Sequence, residues 1–178
     1  MNPVEKDRAY LEAGIPELGD YLLSKELYWP ISARGYSLPR LTIGGMLLAQ
    51  ARLEARGERI ESLVAQLDGI RTKWRVAWES KAGREVQARM RLWSNYLADY
   101  RHNPEGHADA YPHEVRYRVM LHLLLAELPA PPAKQEALSR LDSLLRARLS
   151  GSDFIWDADL GDGFPCEVYW YLYGKLKF

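Results

Sequence analysis

"IESLVAQLDGIRTKWRVAWESKAGREVQARMRLWSNYLADY", residues 60–100, decides the fold. Ile60, Leu63, Leu67, Ile70, Trp74, Trp78, Ala82, Val86, Met90, Trp93, Leu97 and Tyr100 follow one another at steps of three or four. Side chains at those steps share one face of an α-helix. A strand, which alternates every second residue, would scatter them over both faces. The phase does not slip at Gly69 or Gly83, so the spacing predicts one long helix over 58–101, kinked at most at a glycine. At about 1.5 Å per residue it would run roughly 65 Å. A compact globule of this chain length is only about 40 Å across. Either the molecule is elongated, or a glycine breaks the helix. Asp68-Gly69 is the better break, because that pair favours turns.

Working outward, helical punctuation dominates. Asn2 and Pro3 are an N-cap and a first-turn proline, and Gly14 closes the helix they open. Pro16 opens a second short helix. "KELYWPISARGYSLPR" (25–40) holds two prolines and a glycine and reads as an irregular or extended connector, with Leu27, Tyr28, Trp29 and Ile31 against the core. A helix resumes at Thr42 and stops at Gly57, with Ile43, Leu47 and Ala51 on one face. "HNPEGHADAYP" (102–112) reads as a loop. "HEVRYRVMLHLLLAEL" (113–128) is apolar nearly all round its second half, the mark of a buried helix. "PAPPA" (129–133) is a rigid stop. The next helix points Leu138, Leu141, Leu145 and Leu149 inward and ends at Gly151. "VYWYLY" (168–173) is β-prone in composition. Pro165 before it and Gly174 after it punctuate it as a short helix, which is the reading preferred here.

The expected fold class is therefore all-α: a helical bundle of about six helices around one long central helix, with an aromatic C-terminal segment packed on the core. Residues 1–178 read as a single helical domain. Within it, 1–41 is a helical and extended arm, 42–150 the helical core, and 151–178 the aromatic tail.

Composition narrows the function classes. Twenty-four bases balance twenty-four acids, which excludes a global pull toward nucleic acid or anionic membrane. One cysteine, Cys166, excludes an internal disulfide and suits a reducing, cytoplasmic compartment. The charged N-terminus shows no secretory signal. The apolar run at 119–128 is far short of the roughly 20 residues that a membrane span needs.

Four stretches carry residue types suited to chemistry. "DADLGDGF" (157–164) resembles a calcium loop in its spaced aspartates. With Asp157 at the first position, however, both the required glycine bend and the bidentate glutamate at position 12 are missing. It reads as a solvated turn, with Asp162 or Gly163 near the N-cap of a last helix. His102, His107, Asp109, His113 and Glu114 gather ligand types for zinc, manganese or iron, without a helical ligand spacing. His122 reads as a buried histidine bonded to a neighbouring helix. Between 71 and 101, eight bases stand against three acids. Arg71, Arg75, Arg84, Arg89 and Arg91 are the candidates for holding phosphates. Trp74, Trp78 and Trp93 lie on the apolar stripe and so belong to the core rather than to stacking on bases. Finally, the bare amides of "TIGGMLL" (42–48) suit an anion, or else close helix packing. No P-loop, nucleotide-binding glycine pattern or triad signature is present, so no catalytic residue and no cofactor is expected.

These features favour a non-enzymatic helical interaction or scaffold protein, homodimeric through the long stripe that so short a chain cannot fully cover. A nucleic-acid-associated regulator using the basic face at 71–101 is the alternative. A metal-dependent enzyme built on the loop at 102–114 is the third reading.

Overall fold

The computed structural model describes residues 1–129 and 132–178. The fold is predominantly helical, 69% helix and 9% strand. The chain divides into two compact units, Met1–Glu85 and Val86–Phe178, and the boundary falls inside a long helix.

The first unit opens on α1 (Pro3–Gly14). Asn2 Oδ1 accepts from the Glu5 amide at 2.8 Å, and the Asn2 amide donates back to Glu5 Oε2 at 2.8 Å, a complete capping box. A 3₁₀ turn, Ile15–Glu17, leads into α2 (Leu18–Leu23). The connector is extended as expected. It forms the short hairpin β1 (Ser32–Ala33) and β2 (Tyr36–Ser37). Arg34 and Gly35 turn it, both at positive φ (42° and 82°), the backbone that a two-residue hairpin requires. Trp29 and Leu41 then pair by two backbone bonds of 3.1 and 2.7 Å. Leu27, Trp29 and Ile31 are half-buried as expected, whereas Tyr28 is exposed.

α3 (Ile43–Ala55) starts at Thr42, whose side chain accepts from the Gly45 amide at 2.9 Å. It packs on α1 through Tyr10, which donates to the Arg40 carbonyl and accepts from the Thr42 amide. The pair is further joined by Asp7, whose carboxylate lies 3.8 Å from both Arg52 and Arg56.

The predicted single helix over 58–101 is two: α4 (Glu61–Lys73) and α5 (Arg75–His102). Neither glycine breaks it. The interruption is Trp74, at φ −114° and ψ 38°. Backbone bonds persist across it, from the Trp74 amide to Ile70 and from the Trp78 amide to Trp74. The stripe therefore keeps its phase through the break, which is why periodicity alone points to one helix. Along it, Leu67, Trp78, Ala82, Val86, Trp93, Leu97 and Tyr100 are buried.

In the second unit, α5 is followed by helical turns where a loop was expected: α6 (Pro104–His107), a 3₁₀ turn at Ala108–Ala110, and α7 (Tyr111–Glu114). Pro104 and Pro112 sit in first turns, where a missing N–H costs nothing. α8 (Arg116–Ala126) buries Val119, Met120, Leu121 and Leu124, as its all-round apolar pattern requires. The stop expected at 129–133 falls in part outside the described residues. α9 (Pro132–Arg146) buries Leu138 and Leu145 but ends before Leu149 and Gly151.

Those two residues instead belong to β3 (Leu149–Phe154), antiparallel to β4 (Tyr173–Leu176). The fold is thus mainly helical rather than all-α, and the short helix expected after Pro165 is absent. A turn at Pro165–Tyr169 and a 3₁₀ turn at Trp170–Leu172 replace it. The reason lies at Gly174. Its φ is +126°, and a Cβ there would meet the Ser150 carbonyl oxygen at 2.9 Å. The residue read as a helix stop is a point where two strand backbones approach closely. Within this unit the tail is well packed: Phe164, Tyr171 and Leu172 are fully buried. Tyr111 Oη donates to the Tyr171 carbonyl at 2.5 Å, and Tyr100 Oη to the Lys177 carbonyl.

Candidate functional site

The break at Trp74 shapes a cleft in the first unit. Where α4 gives way to α5, the chain leaves Trp74 half-buried and turns Val76 outward, 83% exposed. The end of α2 lines it as well, and there Leu23 is 62% exposed. The cleft between them measures about 580 Å³. Four cations line it, namely Lys73, Arg75, Lys81 and Arg84, and none of the described lining residues is acidic.

Each cation is held differently. Lys81 is buried, and its ammonium donates to the Ser24 carbonyl at 2.8 Å and the Glu26 carbonyl at 2.5 Å. It also stands 4.5 Å from the centre of the Tyr21 ring. Burial, aided by repulsion from Arg84 and only partly offset by Glu26, pushes its pKa below the ordinary lysine value. Its role is to fasten the end of α2 to α5, and its charge adds to the field of the cleft. Arg84 Nη2 donates to the Lys25 carbonyl at 2.9 Å from an exposed position. Arg75 has only a long contact of 3.9 Å with Glu79, a pair too exposed to neutralise it firmly. Lys73 reaches over the Trp74 ring at 5.3 Å. The cleft therefore combines exposed apolar side chains with four positive charges.

Of the five arginines expected on a basic face, the structure brings Arg75 and Arg84 to this cleft. Arg71 pairs with Asp68 and lies over the Trp78 ring at 5.5 Å. Arg89, over the Tyr117 ring at 5.6 Å, and Arg91 belong to the second unit. Sequence reasoning counted Lys73 and Lys81 as charge but missed the apolar members Leu23 and Val76. Val76 carried a signal: it is a β-branched apolar residue off the phase of the stripe.

The residues of the metal reading are spread over separate turns. His102 ends α5 and is exposed; His107 ends α6, and its carbonyl accepts from Tyr96 at 2.9 Å. Asp109 is exposed in the 3₁₀ turn. His113 Nε2 lies 4.0 Å from Glu114, which also faces Arg116 at 3.7 Å. Among the described residues, no three His, Cys, Asp or Glu side chains converge on one point. His122 is half-buried and meets the Tyr169 ring edge-on, with ring centres 5.0 Å apart, rather than bonding to a neighbouring helix. Burial, with help from Arg118, lowers its pKa.

The glycine pair of "TIGGMLL" serves packing. The Gly44 amide donates to buried Glu85 Oε2 at 2.9 Å, so the chain's own carboxylate occupies the helix start. A Cβ on Gly45 would collide with Tyr10. "DADLGDGF" forms the 3₁₀ helix Ala158–Gly163 with Leu160 buried, and no α-helix follows for Asp162 or Gly163 to cap. Among the described residues, no helix is long and apolar enough to cross a membrane. Comparison with protein-family models, with curated proteins and with solved structures finds no match.

Proposed function

We propose that the chain is a non-enzymatic helical interaction protein, its helices bundled about α5, that works by docking a partner at the cleft beside Trp74. One observation carries the reading: exposed Leu23 and Val76 line the same 580 Å³ cleft as four cations. Apolar side chains held in water at a concave surface are what a docking partner covers. A reducing, cytoplasmic setting, suggested by the single cysteine, belongs to the same proposal.

Photo-cross-linking from position 76 in expressing cells tests it. Adducts that resist nuclease and yield to protease support the reading. Nuclease-sensitive adducts would replace it with the nucleic-acid alternative, which the meeting of Arg75 and Arg84 favours. Failure to form adducts, while a probe at exposed Tyr36 forms them, would count against the cleft altogether.

Self-association is a separate proposal. Trp78, Trp93, Leu97 and Tyr100 are buried within their own units, so less of the stripe is left for a second copy than its length suggests. Half-buried Leu63, Ile70, Trp74 and Met90 are what remains of it. Sedimentation at micromolar concentration decides it, and a single monomeric species would end the homodimer reading.

A further inference from the structure

Building on the docking reading, we infer that the partner is an acidic, amphipathic protein segment: one or two apolar side chains enter between Leu23 and Val76, and carboxylates beside them meet Lys73, Arg75 and Arg84.

Charge complementarity chooses this occupant. The cleft offers four cations and no acid among its described lining residues. Lys81 is spent on the Ser24 and Glu26 carbonyls, so it acts through its field. Arg84 gives one nitrogen to the Lys25 carbonyl and keeps further donors for a carboxylate. Arg75 is tied only by its long pair with Glu79.

The other occupants fit worse. A second copy docked about a two-fold axis would set this patch against itself, cation facing cation, which like-charge repulsion disfavours. A single nucleic-acid strand would find its phosphates a partner but its bases no platform. Trp74 is half-buried and already carries the Lys73 ammonium, while Leu23 and Val76 offer bases no stacking face. An acidic segment with apolar anchors uses both halves of the site.

The span sets the segment's length. Nine residues of α5 separate Arg75 from Arg84, about 14 Å at 1.5 Å per residue. A partner covering that distance needs about nine residues if helical, with anchors three or four apart on its apolar face.

The test uses the full chain with labelled Leu and Val methyl groups, followed by NMR. Three synthetic peptides serve as probes: an amphipathic helix of leucines flanked by glutamates, the same peptide with lysines for glutamates, and the same peptide with serines for leucines. The inference expects Leu23 and Val76 to shift with the first peptide only. It also expects affinity to weaken about tenfold on raising salt from low to near-molar levels, as exposed charge pairs are screened. Arg75→Glu with Arg84→Glu should weaken binding about tenfold or more. Val76→Asp, at a site too exposed to matter for folding, should do the same.

Equal shifts with the lysine peptide would leave the docking reading standing and overturn the acidic partner. Shifts with the serine peptide as large as with the first would overturn the apolar anchors. Silence with every peptide at about 1 mM, the weak edge of useful affinity, would overturn the inference. Shifts from a single-stranded oligonucleotide alone would overturn the docking reading with it.

Discussion

Removing the Asp142 carboxylate should be among the most damaging single changes to the second unit. Asp142 accepts from Arg118 Nε at 2.8 Å and from Arg118 Nη2 at 2.9 Å, a two-point pair between α9 and α8. Arg118 is 8% exposed, and its guanidinium lies 4.4 Å from the centre of the buried Tyr171 ring. Burial disfavours its charge. The Asp142 hydrogen bonds, helped by Tyr171, outweigh that and hold its pKa above the ordinary arginine value. The third donor, Nη1, is buried without a protein partner, so the pair has no reserve.

Asp142→Ala leaves a buried cation with no counter-charge. Breaking one side of such a pair costs about 3–5 kcal/mol. In a chain of 178 residues, each kcal/mol is worth about 2–4 °C of melting temperature. The variant should therefore melt about 6–20 °C lower, if the chain unfolds in one step. Replacing both partners by apolar residues, Arg118→Met with Asp142→Leu, removes the stranded charge together with the pair. That double variant should recover most of the loss. Urea denaturation of the wild type, Arg118→Met, Asp142→Leu and the double variant closes the cycle, with Asp142→Ala measured beside them. The reasoning fails if Asp142→Ala costs less than about 1 kcal/mol, the range of an exposed pair. It also fails if the double variant is no more stable than Asp142→Ala.

Three further outcomes are expected. Gly174→Ala should lower stability by about 1–3 kcal/mol, because its φ of +126° disfavours a side chain and the new Cβ meets the Ser150 oxygen; an unchanged urea midpoint would remove the constraint placed on the β3–β4 pair. Phe164→Ala should cost about 3–5 kcal/mol, since its ring is fully buried against Trp156 and Tyr169, and a loss below 1 kcal/mol would make the tail an appendage. The pKa of His122 is lowered from 6.5, so the stability it contributes is complete above that pH and is lost as pH falls through the folded value. Wild type should therefore lose more stability than His122→Gln between about pH 7.5 and 5, and parallel curves would refute this.

Helices that carry their own punctuation were legible in the sequence. Asn2, Pro3 and Glu5 specify the start of α1 with side chains that bond within a single turn. Thr42 does the same for α3. Trp74 left no such mark. It has no special backbone preference, and the bonds that bridge it keep the stripe in phase, so nothing in the local sequence marks the break. The tail failed for the opposite reason. Its local signals were strong, a proline before and a glycine after. The partner strand β3, "LSGSDF", carries no strand pattern of its own, and only pairing makes it one.

The same division between local and tertiary information governs the sites. A metal centre or phosphate loop announces itself when its ligands lie close in sequence, and the histidine loop imitated that closeness. Nearness in sequence did not become nearness in space, because successive prolines and helical turns point His102, His107 and His113 from three different elements. The cleft reverses the case. Leu23 and Val76 lie 53 positions apart and line one opening where Lys81 and Arg84 tie the end of α2 and the residues after it to α5. That tie depends on the charge of Lys81, whose burial is balanced by carbonyl oxygens rather than by a carboxylate at close range. Had an acid held it, one of the four positive charges that line the cleft would be cancelled. The choice of backbone acceptors for a buried lysine thus fastens the end of α2 and leaves its charge in the field of the cleft.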